Sequence, residues 1–165
     1  MNTKRLQTRY VKGFLPPEEA TTLYDYLIKT IEWNDGVKSK RTGFTRKAKA
    51  IYLQEDEKID RVVLEAIDNL CIGKYALLGM YLNYYANGDM YTPSHSHPKQ
   101  HQIVISLGAT RKLVVGKKTY EMSNGDVIMF GASTHSVPKQ PDITQGRISI
   151  ATFMMPNNSD QHRSA

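Results

Sequence analysis

From Gly79 onward the chain consists of short segments rich in β-branched and aromatic residues: Met80–Tyr85, Ile103–Leu107, Lys112–Val115, Thr119–Met122, Val127–Phe130 and Arg147–Phe153. Asn87-Gly88, Gly116, Asn124-Gly125, Gly131 and Gly146 stand between them as turn signals. Short strands broken by glycine-bearing turns predict a small β-sandwich or jelly roll. The first third of the chain has a different rhythm. Pro16-Pro17-Glu18-Glu19 opens a helix, with proline in the first turn and acids at the positive end of the dipole. Ala20, Leu23, Leu27 and Ile31 then recur at helical spacing, as do Ile59, Val63, Ile67 and Leu70. Two helices therefore precede and flank the strands, and the predicted fold class is α+β. Arg41–Leu53 is expected to add a strand ahead of the second helix.

At 165 residues, 40% hydrophobic and 23% charged, the chain has the size and core of one domain. Residues 1–155 are assigned to that domain and Pro156–Ala165 to a polar, mobile tail. Lysine and arginine number 22 against 16 acids, for a net charge of +6. The excess is local: Lys38, Lys40, Arg41, Arg46, Lys47 and Lys49 fall in one acid-free stretch. Such a patch suits a polyanion backbone, and it equally suits an ordinary solvated loop. Cys71 is the only cysteine, which excludes an internal disulfide and a cysteine-built metal site. A reducing compartment, cytoplasmic or nuclear, is expected. The N-terminus lacks an apolar signal core, and no apolar run approaches the ~18 residues a span requires, so neither secretion nor a membrane partner is expected.

Three of the five histidines lie in Ser94-His95-Ser96-His97-Pro98-Lys99-Gln100-His101. In an extended segment side chains alternate, so His95 and His97 share a face and can grip one metal ion. His135 follows the strand that ends at Phe130. Two ligands from one strand edge and a third from a later strand is how a jelly roll assembles a metal site, and His95, His97 and His135 are the candidate ligands. His162 lies in the tail.

The order of motifs resembles the AlkB family of iron(II) and 2-oxoglutarate-dependent dioxygenases. It is carried by Asn83-Tyr84-Tyr85, Asn87-Gly88, His95-Ser96-His97, Ile105-Ser106-Leu107-Gly108, Asn124-Gly125-Asp126, His135-Ser136-Val137-Pro138 and Arg147-Ile148-Ser149. Upstream, Ile31-Glu32-Trp33 and Thr45-Arg46-Lys47-Ala48 resemble further family segments. The resemblance implies a double-stranded β-helix, the jelly roll, with Fe(II), 2-oxoglutarate and O2 as cofactor and cosubstrates. Arg147 suits bidentate pairing with the distal carboxylate of the oxo-acid, because a guanidinium matches carboxylate geometry. Ser149 faces the same way, and the resemblance implies that Asn83 and Tyr85 also contact the oxo-acid.

Two positions depart from the family pattern. His97 stands where the family has aspartate, and Phe153 stands where it has a second arginine. Three readings follow. In the first, a monomeric enzyme oxidises a methyl or C–H group on a DNA or RNA base, with Lys38, Lys40, Arg41, Arg46, Lys47 and Lys49 on phosphates and Trp33, Phe44, Tyr52 or Tyr91 stacking on the flipped base. In the second, the same chemistry acts on a protein side chain or a small molecule. In the third, a decayed oxygenase scaffold binds nucleic acid without turnover.

Overall fold

The computed structural model describes residues 6–38 and 45–157. The expected tail, apart from its first two residues, and the segment containing Lys40, Arg41 and Phe44 lie outside these. Helix α1 spans Pro17–Thr30 and buries Ala20, Leu23 and Leu27, while Ile31 forms its C-cap. Helix α2 spans Glu57–Leu70. It is capped by Asp56, whose carboxylate accepts from the backbone N–H of Lys58 (2.9 Å) and Ile59 (3.1 Å). Its buried stripe is Ile59, Val62, Val63, Ala66 and Leu70.

The strands are β1 (Arg9–Val11), β2 (Asn34–Lys38), β3 (Thr45–Ile51), β4 (Tyr75–Tyr85), β5 (Thr92–His95), β6 (His101–Gly108), β7 (Arg111–Val115), β8 (Lys118–Met122), β9 (Val127–Phe130), β10 (His135–Val137) and β11 (Arg147–Pro156). They form a seven-stranded sheet in the order β1-β9-β6-β11-β4-β3-β2 and a four-stranded sheet in the order β5-β10-β7-β8. From β4 to β11 the chain winds between the two sheets, and among the described residues every strand pairing is antiparallel. This is the expected jelly roll. Strand β3 realises the strand expected within Arg41–Leu53, and β2 and β1 widen the large sheet at its two edges. Among the described residues no helix is long and apolar enough to cross a membrane.

The large sheet separates two cores. On its outer face Met80, Leu82, Ile103, Ile105, Leu107, Ile148, Ile150 and Met154 pack with the buried stripes of both helices. Between the sheets lie Tyr85, Val104, Leu113, Val115, Met122, Ile128, Phe130, Val137 and Ala151. Strand alternation produces this division, since successive residues of β11 face opposite ways. Ile148 and Ile150 face the helices; Arg147, Ser149, Ala151 and Phe153 face the small sheet.

Candidate functional site

The inter-sheet space brings the predicted ligands together. His95 ends β5 and His135 begins β10, and the two are direct partners across that antiparallel pair. His97 lies two residues beyond His95. One ring nitrogen from each of His95, His97 and His135 lies within 4.8 Å of the others, and among the described residues no carboxylate or thiol joins the cluster. Their ring centroids are 4.3 to 5.6 Å apart.

Backbone carbonyls set the ring tautomers. The Nδ1–H of His95 donates to Pro93 O (2.8 Å) and that of His135 to Ser133 O (3.2 Å). A carbonyl can only accept, so in the neutral rings Nε2 carries the lone pair. His135 is buried, and burial, followed by the neighbouring His95, pushes its pKa down to about 4. It is therefore neutral and ligand-competent across the physiological range. The amide of Gln102 donates to its Nε2 at 3.4 Å. His101, the third histidine of the sequence cluster, packs on Tyr75 instead and stands outside the site.

The predicted oxo-acid residues converge on the same face. Arg147 pairs in register with Tyr85, and Ser149 pairs with Asn83 on one side and Ser106 on the other. Arg147 is 1% exposed. Its Nε donates to Ser106 Oγ (2.8 Å), whereas its Nη1 is buried without a partner. Burial pushes its pKa down to about 10, with nearby Arg111 adding to the fall and Tyr85 opposing it. Asn83 Nδ2 donates to Ser149 Oγ (3.3 Å), which leaves Asn83 Oδ1 buried and unpartnered. A half-turn of that amide would keep a bond to Ser149 and present N–H groups to the orphan space. Tyr85 is held by a 2.7 Å bond between its hydroxyl and that of Thr92.

Buried polar groups are nearly always paired, so an orphan guanidinium nitrogen and an orphan amide on neighbouring strands mark a place for a ligand. The guanidinium requires that ligand to be an anion. Three imidazoles suit a divalent transition metal, each ligating through its neutral ring. The residues present therefore fit both an iron ion and a carboxylate-bearing oxo-acid.

Several residues of the site carried no role in the sequence. Ser106 lies inside a quoted motif, yet only the three-strand register shows it holding Arg147. Gln102 is a buried amide in a run of apolar neighbours, a pattern that does reveal a polar function. Arg111 is 1% exposed and donates only to neutral oxygens: Gln140 Oε1 and the carbonyls of Asn87, Met90 and Pro138. Nothing local in the sequence marks it. Phe153 contacts His97 edge-on at 4.9 Å and Tyr81 at 6.1 Å, which makes it the aromatic wall beside the histidines.

Two residues of the basic stretch, Lys47 and Lys49, are placed away from the site. Lys47 and Lys49 pair with Tyr84 and Leu82, on the helix-bearing face of the large sheet and opposite the face that carries Asn83. Lys38 and Arg46 lie in β2 and β3. Trp33 packs against Tyr84 in the helix-side core, and Tyr91 lies under the Lys139 ammonium.

No protein-family profile matches the chain, and no curated protein does. Solved structures do. A prolyl-4-hydroxylase from Pseudomonas putida superposes with a TM-score of 0.63 at 14% identity, over 91% of this chain and 92% of its own. The non-heme α-ketoglutarate-dependent epimerase SnoN of nogalamycin biosynthesis gives 0.68 at 14% identity, over 93% and 80%. A 2-oxoglutarate and Fe(II) oxygenase from Burkholderia pseudomallei gives 0.65 at 16% identity, over 92% and 86%. These three extend the likeness to the wider oxygenase fold, while the AlkB likeness rests on the sequence motifs. At such identities the likeness is one of architecture: the chain has the jelly-roll fold of the Fe(II) and 2-oxoglutarate oxygenases.

Proposed function

We propose that the chain is an Fe(II)- and 2-oxoglutarate-dependent dioxygenase that hydroxylates a methyl or other C–H group. The observation that carries this reading is the buried, unpartnered Nη1 of Arg147, between the same two sheets as the three-histidine cluster. His95, His97 and His135 would hold iron; Arg147 and Ser149, with Asn83 and Tyr85, would hold the distal carboxylate of the oxo-acid. When bound, iron and the oxo-acid activate O2, and the oxo-acid leaves as succinate and CO2. The chain's own residues prepare that chemistry. The carbonyls of Pro93 and Ser133 aim ligand nitrogens, Ser106 fixes the guanidinium, and Phe153 covers one edge of His97.

The reading is tested by calorimetry of 2-oxoglutarate with Mn(II) present. Removing a buried charged partner costs about 2–5 kcal/mol, so Arg147→Ala should weaken the oxo-acid by roughly 30-fold or more. Arg147→Lys should be poor as well, because the fork geometry is lost. Equal affinity in wild type and Arg147→Ala would contradict the assignment.

The substrate has two candidate classes. A nucleic-acid base, oxidised or demethylated, is supported by the run of basic residues. A protein side chain or small molecule is supported by the wall at the histidines, where Tyr81 is 39% exposed beside Phe153. Gly79 faces Phe153 in register and leaves open space at the position of a side chain. The placement of Lys47 and Lys49 on the opposite face of the sheet favours the second class. Salt-dependent DNA or RNA binding separates the two, and succinate production separates both from a decayed binding module.

A further inference from the structure

We propose that iron and 2-oxoglutarate enter this site as an interdependent pair, because among the described residues its side chains supply guanidiniums and imidazoles but no anion. The proposal rests on the oxygenase reading and adds how the site is assembled. The metal ligands are three imidazoles, with His97 at the position where the AlkB pattern supplies a carboxylate. The ring of Tyr85 lies between two buried guanidiniums, 5.3 Å from that of Arg147 and 5.5 Å from that of Arg111. The acceptors that Arg111 uses are all neutral. Among the described residues Asp126 is the only acidic residue buried as a whole, and Asp60, whose Oδ1 is also buried, lies on α2 on the far side of the large sheet. Asp126 is occupied elsewhere, accepting from the Tyr10 hydroxyl (2.7 Å) and the backbone N–H of Gly13 and Ser123 (2.8 Å each).

A divalent ion entering alone would add two positive charges to a space that already holds uncompensated ones. Screening there is weak, so that addition is costly. The oxo-acid dianion removes the cost, with one carboxylate at the metal and the other at Arg147. Each ligand therefore raises the affinity of the other by the same factor. Chelation by the oxo-acid tightens metal binding in any such site, so the mark of this one is the additional coupling that an aspartate at position 97 would abolish. Pyruvate offers the same oxo-carboxylate without the distal group, and it should couple less.

The test is calorimetric titration of Mn(II) into the metal-free protein, with and without saturating 2-oxoglutarate, in wild type and in His97→Asp. Wild type should bind Mn(II) weakly alone and far more tightly with the oxo-acid. The tightening factor should be at least about tenfold larger than in His97→Asp, within the usual span of coupling energies. Equal factors in the two folded proteins would overturn the proposal, as would wild-type Mn(II) affinity indifferent to the oxo-acid. Should circular dichroism show His97→Asp unfolded, His97→Glu takes its place, and the wild-type comparison stands by itself. Failure of both ligands to bind wild type, singly or together, would instead strike down the oxygenase reading on which the pair depends.

Discussion

The two faces of the large sheet are built from the same strands and do opposite work. On β11, Ile148, Ile150 and Met154 are buried against the helices, while Arg147, Ser149 and Phe153 look across to the small sheet. The outer face is built mainly from apolar side chains, with Trp33 Nε1 and, on α2, Asp60 Oδ1 as its buried unpartnered atoms. The inner face carries a guanidinium, hydroxyls, amides and histidines, and it holds Arg147 Nη1 and Asn83 Oδ1 without partners. The contrast teaches that the helix side supplies the stability that lets the inner side remain unsatisfied until a ligand arrives.

The largest effect is expected on the outer face. Ile150 is fully buried, and Ile150→Ala should lower unfolding free energy by about 2–5 kcal/mol. Urea denaturation measures this. The folded fraction should keep its affinity for 2-oxoglutarate, and a loss of binding equal to that of Arg147→Ala would break the division between faces.

The inner face should show its strain in acid. The pKa of His135 falls from an ordinary 6.5 to about 4 in the fold, so the unfolded chain takes up the proton first. Its contribution to the stability of the metal-free protein is present above pH 6.5 and is lost as the pH falls to about 4, by as much as about 3 kcal/mol at 1.36 kcal/mol per unit. His135→Gln should flatten that part of the stability profile. Identical profiles would mean that His135 is not buried as a neutral ring.

Much of this organisation was legible in the sequence, and the reasons for the remainder are physical. The periodicity of Ala20, Leu23 and Leu27 and the capping Asp56 act locally, so both helices sit where expected. Local patterns also disclose that His95 and His97 share a face. They do not disclose that His135 pairs with His95 or that Ser149 lies between Asn83 and Ser106, because register is a property of two or three strands at once. Strand β10, three residues long, is below the length at which alternation can be read. The basic run shows the converse limit: charge is visible in sequence, but the face it occupies depends on which strand it joins.

A smaller effect sharpens the comparison from the ligand side. An unpaired buried cation is costly, so Arg147→Met should leave the ligand-free protein as stable as wild type or more so, by about 1–4 kcal/mol. Thermal unfolding of both apo proteins measures it. A large destabilisation would mean that Arg147 is structural, like the fully bonded Arg111.

The smallest effect belongs to the surface. Lys47→Ala with Lys49→Ala should change stability by no more than about 0.5 kcal/mol. If the segment contacts phosphates, the same pair should flatten the salt dependence of duplex DNA binding by just under about two units. An unaltered slope would leave the protein or small-molecule substrate in possession.

The most direct measurement is succinate release from 2-oxoglutarate by the wild-type protein under O2 with Fe(II) supplied. The expected result is succinate that requires all three and that disappears in His135→Ala and in Arg147→Ala. Wild type that binds iron and 2-oxoglutarate yet forms no succinate with any C–H substrate, or variants that form it as well as wild type, would contradict the account.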